Sequence, residues 1–325
     1  MSKPIIVVTD YTFPDLEKEQ AAAHAAGYEF KAYQCKNADQ VCEALVGASI
    51  AIVQFAEVNA KAIAGMAPNA ALIRYGIGYE NIDVNAANER GFPVGYVPDY
   101  CLDEVAEHTS AALLMLLRKL PTLDKSVRDG QWNAVKYAKP LKPFNETLVG
   151  FYGFGQIGRS VHKKLKSFGF KFAVSDPSLS LDEAKTLGVT KLSAEDLFKQ
   201  VDAITLHAPV TKETENFVNK ARLNSMKNHA ILVNSSRGAL IDEDAIANAL
   251  NTGQIAGAAL DVFHEEPLLP DSPLRDAQNL MLSPHGAWYS ERAIGQLQSL
   301  VADDVSNHIE GRKLRKPVPG STGSK

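Results

Sequence analysis

An α/β protein made of two doubly wound parallel-sheet domains, one inserted in the other, is predicted by three features of the 325-residue sequence. Short β-branched runs alternate with helical patterns in two separate blocks. A stretch of different texture divides the blocks, and a glycine-rich strand-to-helix turn opens the second block only. Alternating βα units require parallel strands joined by helical crossovers. The length, about twice a ~150-residue domain, fits two such units.

In the first block the strand candidates are residues 4–9, 28–33, 49–54, 70–75 and 93–97. Helices are expected over 14–26, 37–46, 59–66 and 84–90, several opened by Asn or Asp and closed by Gly27, Gly47 and Gly91. A long helix over 103–120 follows, with Pro121 as its stop. Residues 122–146 contain Pro140 and Pro143 and few apolar positions, and they read as a connection. The alternation restarts with strands over 147–153, 170–176, 201–207, 230–236, 256–263 and 279–285. A final helix over 290–310 places Ile294, Leu297, Val301 and Val305 on one face, which suits packing back on the first block.

Composition excludes several classes of function. Hydrophobic residues at 45% and charged residues at 22% argue against disorder and coiled-coil rods. With 34 basic and 38 acidic side chains the net charge is −4, so no overall positive field exists to gather nucleic acid or an anionic membrane. The basic run Arg312, Lys313, Arg315 and Lys316 is short, lacks aromatics and reads as a solvated tail. Cys35, Cys42 and Cys101 form neither a disulfide framework nor a C-x-x-C pair, which fits a reducing cytoplasm. The apolar run before Thr9 is too short for a signal peptide, and the run 111–117 is too short to span ~30 Å of bilayer. A secreted or membrane-inserted protein is therefore not expected.

The second block opens with G-x-G-x-x-G at Gly153, Gly155 and Gly158, after a strand and before a helix, the context that makes the pattern informative. Gly153 permits the tight turn, Gly155 lets backbone N–H groups reach a pyrophosphate, and Gly158 allows the helix to close on the strand. Asp176 lies 18 residues beyond Gly158 at the next strand end, where a carboxylate would hold both ribose hydroxyls and repel a 2′-phosphate. Pro177 and Ser178 follow rather than Arg or Lys, so NAD is the expected cofactor, in a Rossmann domain. No Walker motif supports nucleotide hydrolysis, and no set of side chains reads as a metal site.

Three later strand ends carry polar groups: Arg237 in NSSRG, Glu266 in ALDVFHEEP and His285 in SPHGAW. Hydride exchange with a 2-oxo acid needs a cation for the carboxylate and a proton donor for the carbonyl oxygen. Arg237 supplies bidentate charge-assisted bonds. His285, whose ordinary pKa is ~6.5, supplies the proton, and a neighbouring Glu266 would favour its imidazolium form.

These residues, with RYGIGYENID, VAEHTSAALLMLLRK, LHAPVTKET and HGAWYSERA, resemble the D-isomer-specific 2-hydroxyacid dehydrogenase family over nearly the whole chain. The resemblance implies a flavodoxin-like substrate domain, residues 1–101 and 290–325, around an NAD-binding domain, residues 102–289. It implies Arg237, Glu266 and His285 as the catalytic groups and the Gly76–Ile77–Gly78 turn as a second holder of the substrate carboxylate. Thr109, Gln156, Ile157, His207, Pro209, Ser235 and Asp261 fall on cofactor-lining positions, Asp261 toward the carboxamide. Homodimers are implied, and a small 2-oxo or 2-hydroxy acid is the partner. Trp288 either walls the substrate pocket or packs between domains. Within the family the segment HGAWYSERA is more similar to C-terminal binding proteins and phosphoglycerate-dehydrogenase-like enzymes than to formate or lactate enzymes, and an NAD-sensing corepressor or scaffold stands as the alternative to a dehydrogenase. No added regulatory domain, and no feedback through one, is expected.

Overall fold

The computed structural model describes residues 3–323, which divide into two compact units. One runs to Cys101 and resumes at Ser290, and the other, Leu102–Tyr289, is inserted between those two segments in sequence.

The first unit holds β1 (Ile5–Val8), β2 (Glu29–Ala32), β3 (Ala48–Val53), β4 (Ala71–Arg74) and β5 (Val94–Gly95) in one parallel sheet of order β2-β1-β3-β4-β5. The order reverses direction between β1 and β3, where loops diverge and ligands of open sheets bind. Ile50, Ile52, Leu72 and Ile73 are fully buried, as strands covered on both faces require. Asn37, Asn59 and Asp83 cap helices by accepting the Gln40, Ala62 and Ala86 N–H groups, which otherwise lack intrahelical acceptors. Helix Glu291–Ile309 packs on helix Glu17–Ala25 as its apolar stripe predicts. Leu297, Val301 and Val305 are buried, and Lys18 donates to the Gly295 carbonyl at 2.5 Å. The strand expected over 93–97 is only two residues long. Beyond Gly95 the backbone is carried on by Tyr96 N–H to the Lys316 carbonyl and by an antiparallel bridge from Gly95 to Pro317.

The second unit holds β6 (Leu148–Tyr152), β7 (Lys171–Ser175), β8 (Thr190–Lys191), β9 (Ala203–Leu206), β10 (Ile231–Asn234), β11 (Gly257–Leu260) and β12 (Leu280–Leu282). All pair in parallel, in the order β12-β11-β10-β9-β6-β7-β8. Here the direction reverses between β6 and β9. The predicted fold class is thus observed in both sheets.

Two expectations are corrected. The long helix ends at Leu117, and Pro121 does not stop it but lies in the first turn of a further helix, Leu120–Arg128. The break falls at Lys119, whose φ is +51°. Proline fits a first helical turn because the N–H it lacks would have no intrahelical acceptor there. The supposed connection also contains helix Ala134–Ala138, capped by Asn133 accepting the Lys136 N–H. Among the described residues, no helix is long and apolar enough to cross a membrane.

Candidate active site

The glycine turn leaves the carboxyl end of β6, beside the point where the sheet reverses direction. Gly153 has φ +87°, and a Cβ there would lie 2.5 Å from the Ala208 nitrogen, so the turn tolerates only glycine. A Cβ on Gly158 would meet the Gly153 carbonyl oxygen at 3.1 Å, which is why the helix Gln156–Leu165 can close on the strand. Gly155 differs, since a Cβ there meets nothing within 4 Å. No side chain caps this helix, so its first N–H groups, including those of Gln156 and Ile157, point into that space with the helix dipole behind them. This cradle suits a pyrophosphate.

Asp176, just past β7, fastens the turn. One oxygen accepts the Phe154 N–H at 2.6 Å, and the other accepts the Ser178 N–H at 2.8 Å and hydroxyl at 2.6 Å. Burial works against its charge, but the Ser178 and Phe154 bonds, with Arg159 behind them, outweigh it and hold the carboxyl below its usual range. Arg159 is itself paired with Glu183 at 2.6 Å.

Across the reversal point, His207 directly follows β9. Burial pushes it down to about 3, so it is neutral, and its Nε2 lies 3.1 Å from the Thr205 hydroxyl. Pro209 is exposed on the following loop. Fully buried Thr109 donates to the Ser235 hydroxyl at 3.1 Å, which ties the helix Leu102–Leu117 to the end of β10.

Arg237 sits on the turn after β10, held by a residue that sequence reasoning missed. Buried Asn234 donates to the Arg237 carbonyl at 2.8 Å and accepts the Ser236 N–H at 3.0 Å, wrapping the turn around its own amide. The signal was present as an Asn at a strand end before two serines. Gly238 follows, and a Cβ there would lie 2.0 Å from the Phe263 carbonyl carbon. Only glycine lets the Arg237 turn lie against the segment that carries Glu266.

Glu266 and His285 meet directly. His285 Nδ1 is 2.6 Å from Glu266 Oε2, and Glu266 Oε1 accepts the Phe263 N–H at 3.0 Å. A carboxylate accepts only, so Nδ1 carries a proton. Burial disfavours the Glu266 charge, but the bond and charge of His285, the Phe263 N–H and the charge of Arg237 together hold the carboxyl below its usual range. Glu266 therefore carries a bond from His285 and the charge of Arg237 within this unit.

The His285 backbone is in the left-handed region, φ +51°, a conformation that costs a side-chain-bearing residue about 1–2 kcal/mol. Buried Asp261, just past β11, offsets that cost. Its carbonyl accepts the His285 N–H at 2.8 Å, and its carboxylate takes the Ser283 hydroxyl at 2.6 Å and the Gly286 and Ala287 N–H groups at 2.9 Å each. Asp261 is thus the anchor of the histidine loop, a role its place in ALDVF did not reveal. His108 Nε2 stands 3.3 Å from the Ser283 hydroxyl. Trp288 follows the anchored stretch, half-buried and edge-on to Tyr289 with centroids 6.0 Å apart.

The Gly76–Ile77–Gly78 turn belongs to the first unit, after β4. Gly76 has φ +134°, and its N–H is spent on the Arg74 carbonyl at 3.0 Å. The Ile77 and Gly78 N–H groups have no acceptor among the described residues. Described residues also contain no cluster of three or more His, Cys, Asp or Glu side chains able to hold a metal ion.

Residues 110–287 match the family model for the NAD binding domain of D-isomer specific 2-hydroxyacid dehydrogenases. Over 245 residues, 75% of this chain and 46% of the relative, the sequence is 36% identical to a D-3-phosphoglycerate dehydrogenase of Archaeoglobus fulgidus. Over 234 residues, 71% of this chain and 70% of the relative, it is 36% identical to a glyoxylate reductase of Korarchaeum cryptofilum. The chain spans about half the length of the phosphoglycerate dehydrogenases that it matches. Among solved structures, an NADPH-dependent glyoxylate/hydroxypyruvate reductase of Sinorhizobium meliloti, in complex with NADP and malonate, superposes with a TM-score of 0.83. It is 28% identical, over 99% of this chain and 98% of that one.

Proposed function

The chain belongs to the D-isomer specific 2-hydroxyacid dehydrogenase family, and from that premise we propose an NAD-dependent oxidoreductase that interconverts a D-2-hydroxy acid and its 2-oxo acid. The observation that carries this reading is the 2.6 Å pair of His285 Nδ1 and Glu266 Oε2, on the same strand edge as an uncapped glycine turn. When bound, the nicotinamide supplies or takes up the hydride at C2 of the acid.

Arg237 binds the substrate carboxylate through paired N–H groups, and the Ile77 and Gly78 amides are able to bind a carboxylate as well. His285 Nε2 gives a proton to the carbonyl oxygen as it becomes a hydroxyl, and takes the proton back in the oxidative direction. Glu266 fixes the tautomer and stabilises the imidazolium that forms. The Gln156 and Ile157 amides hold the pyrophosphate, while Thr109, His207, Pro209, Ser235 and Asp261 line the nicotinamide half of the cofactor. NAD rather than NADP is favoured by the Asp176 carboxylate, because the nearest cation able to balance a 2′-phosphate, Arg159, already faces Glu183. We propose a homodimer formed through this unit. Its support is the apolar surface of Val127, Trp132, Val135 and Leu141, with Trp132 89% exposed. Three free cysteines fit a reducing, cytoplasmic setting.

Steady-state NADH oxidation over a panel of 2-oxo acids tests the assignment. Arg237→Ala is expected to lower kcat/KM on the best substrate by about 10–200-fold, the equivalent of ~1.5–3 kcal/mol of charge-assisted bonding. Full activity in that variant would remove Arg237 from the mechanism.

A further inference from the structure

Within the inserted unit, helix Leu102–Leu117 reaches both loops that carry the proposed chemistry, through two adjacent side chains. Thr109 bonds to the Ser235 hydroxyl at 3.1 Å, just before Arg237. His108 reaches the other loop. Its Nε2 lies 3.3 Å from the Ser283 hydroxyl oxygen, just before His285, and 3.9 Å from Asp261 Oδ1. The dehydrogenase assignment gives roles to Thr109, Arg237, Asp261 and His285, and none to His108 or Ser283. The helix is a firm base for that reach. Its Ala106, Ala112, Leu113 and Leu116 are buried in one core with Val149 and Phe151 of β6, Val233 of β10 and Ala259 of β11.

The hydrogens along this contact can be assigned. Ser283 has a single hydroxyl hydrogen, and the 2.6 Å bond to Asp261 Oδ1 takes it, because a carboxylate only accepts. Toward His108 the Ser283 oxygen is therefore an acceptor, so the His108 Nε2 carries a hydrogen and donates. A donor behind the hydroxyl polarises it and strengthens its bond to Asp261. Asp261 in turn accepts the Gly286 and Ala287 N–H groups on its carboxylate and the His285 N–H on its carbonyl. The left-handed His285 backbone is thus gripped at Ser283 before it and at Gly286 after it, and both grips meet on Asp261 Oδ1.

We propose that His108 and Ser283 are positioning residues for proton transfer: the His108 N–H, acting through the Ser283 hydroxyl on Asp261, holds the His285 imidazole at the angle the transfer needs. The inference rests on the dehydrogenase reading and deepens it. A reacting group misplaced by ~1 Å can lose about 10²-fold in rate. Arg237 stands on a separate loop and keeps its hold on the substrate carboxylate when this link is broken. The loss therefore falls on kcat and leaves KM for the 2-oxo acid in place.

The test compares two amides that differ by one methylene, in steady-state kinetics with NADH and the best 2-oxo acid. His108→Gln puts an amide N–H about where Nε2 stands and should keep kcat within about 3-fold of the unaltered protein. His108→Asn stops one bond short and should lower kcat by about 10-fold, with KM for the 2-oxo acid changed by less than about 2-fold. Since 34% of the His108 side chain is exposed, both variants are expected to fold. Ser283→Ala leaves the helix untouched and should lower kcat by at least as much as His108→Asn. Combining the two should be no slower than Ser283→Ala alone, because both break one chain of bonds. Equal kcat for the Gln and Asn variants, a loss confined to KM, full kcat in Ser283→Ala, or losses that multiply in the double variant overturns the inference while leaving the dehydrogenase in place. Failure of the unaltered protein to turn over any 2-oxo acid overturns both.

Discussion

In the inserted unit Asp261 takes three bonds on its carboxylate, Asp176 takes three, and Asp202, at the amino end of β9, takes the Leu148 N–H with Lys142, Lys227 and His229 at 2.8–3.0 Å. In the other unit two carboxyls are as deeply buried but poorly served. The contacts of Glu19 with Tyr75 and of Asp304 with Arg315 do not offset their burial. The physical consequences are opposite. Bonding holds Asp202 far below the ordinary carboxylate range despite its burial, whereas burial pushes Glu19 up and Asp304 up to about 6. The inserted unit thus uses ionised acids as fixed struts around its strand ends, as the other does at Asp10, but the other unit also stores two acids whose charge is a liability.

Breaking the strutted side is expected to produce the largest effects. His285→Asn keeps a polar group on the anchored loop but removes the proton donor, and kcat should fall by ~10²–10⁴-fold, measured at saturating NADH and 2-oxo acid. Loss of less than about 10-fold would mean that another group moves the proton. Next come the glycines, which sharpen the contrast between packing and ligand space inside the same unit. Gly238→Ala drives a Cβ into the Phe263 backbone and should cost about 1–3 kcal/mol or more of stability in urea unfolding. Gly155→Ala meets no atom of the protein and needs no unusual φ, so its unfolding should change by only about 0.5 kcal/mol while NADH binding weakens. Equal losses of stability in both variants would show that the space at Gly155 is not reserved for a ligand.

Sequence made the two sheets legible because buried parallel strands are short unbroken apolar runs, and it made the glycine turn legible because its spacing is local. Local pattern failed where a residue's role depends on distant partners. Arg237, Glu266 and His285 were recognisable by residue type at strand ends, but Asp261 reaches its partners 22 to 26 residues away, so neither its anchoring of His285 nor the left-handed backbone it sustains was visible. Strand β8 has two residues, too few for any periodicity, and Pro121 was read as a helix stop because proline at an end and proline at a start look alike without the preceding break at Lys119.

The smallest expected effect lies on the other side of the comparison and has the opposite sign. Asp304 sits fully buried on helix Glu291–Ile309, where burial raises its carboxyl from 3.8 to about 6 although the Arg315 N–H at 2.5 Å and the Arg315 charge oppose that rise. Below pH 3.8 the group is protonated in both folded and unfolded chains and contributes nothing. Between about pH 4 and 6 the unfolded chain loses the proton first, so rising pH favours unfolding, and above pH 6 the whole penalty is present. Two pKa units correspond to a ceiling of about 3 kcal/mol. Asp304→Asn keeps an oxygen for the Arg315 N–H and removes the charge, so it should stabilise the protein by roughly 1–3 kcal/mol at pH 7.5 and by nothing near pH 4. Asp202→Asn should do the reverse, weakening the fold at pH 7.5, where its ionised form is fully bonded. Urea unfolding midpoints of both variants across that pH range decide the matter. If Asp304→Asn loses stability at neutral pH as Asp202→Asn does, the two units do not differ in how they hold buried charge.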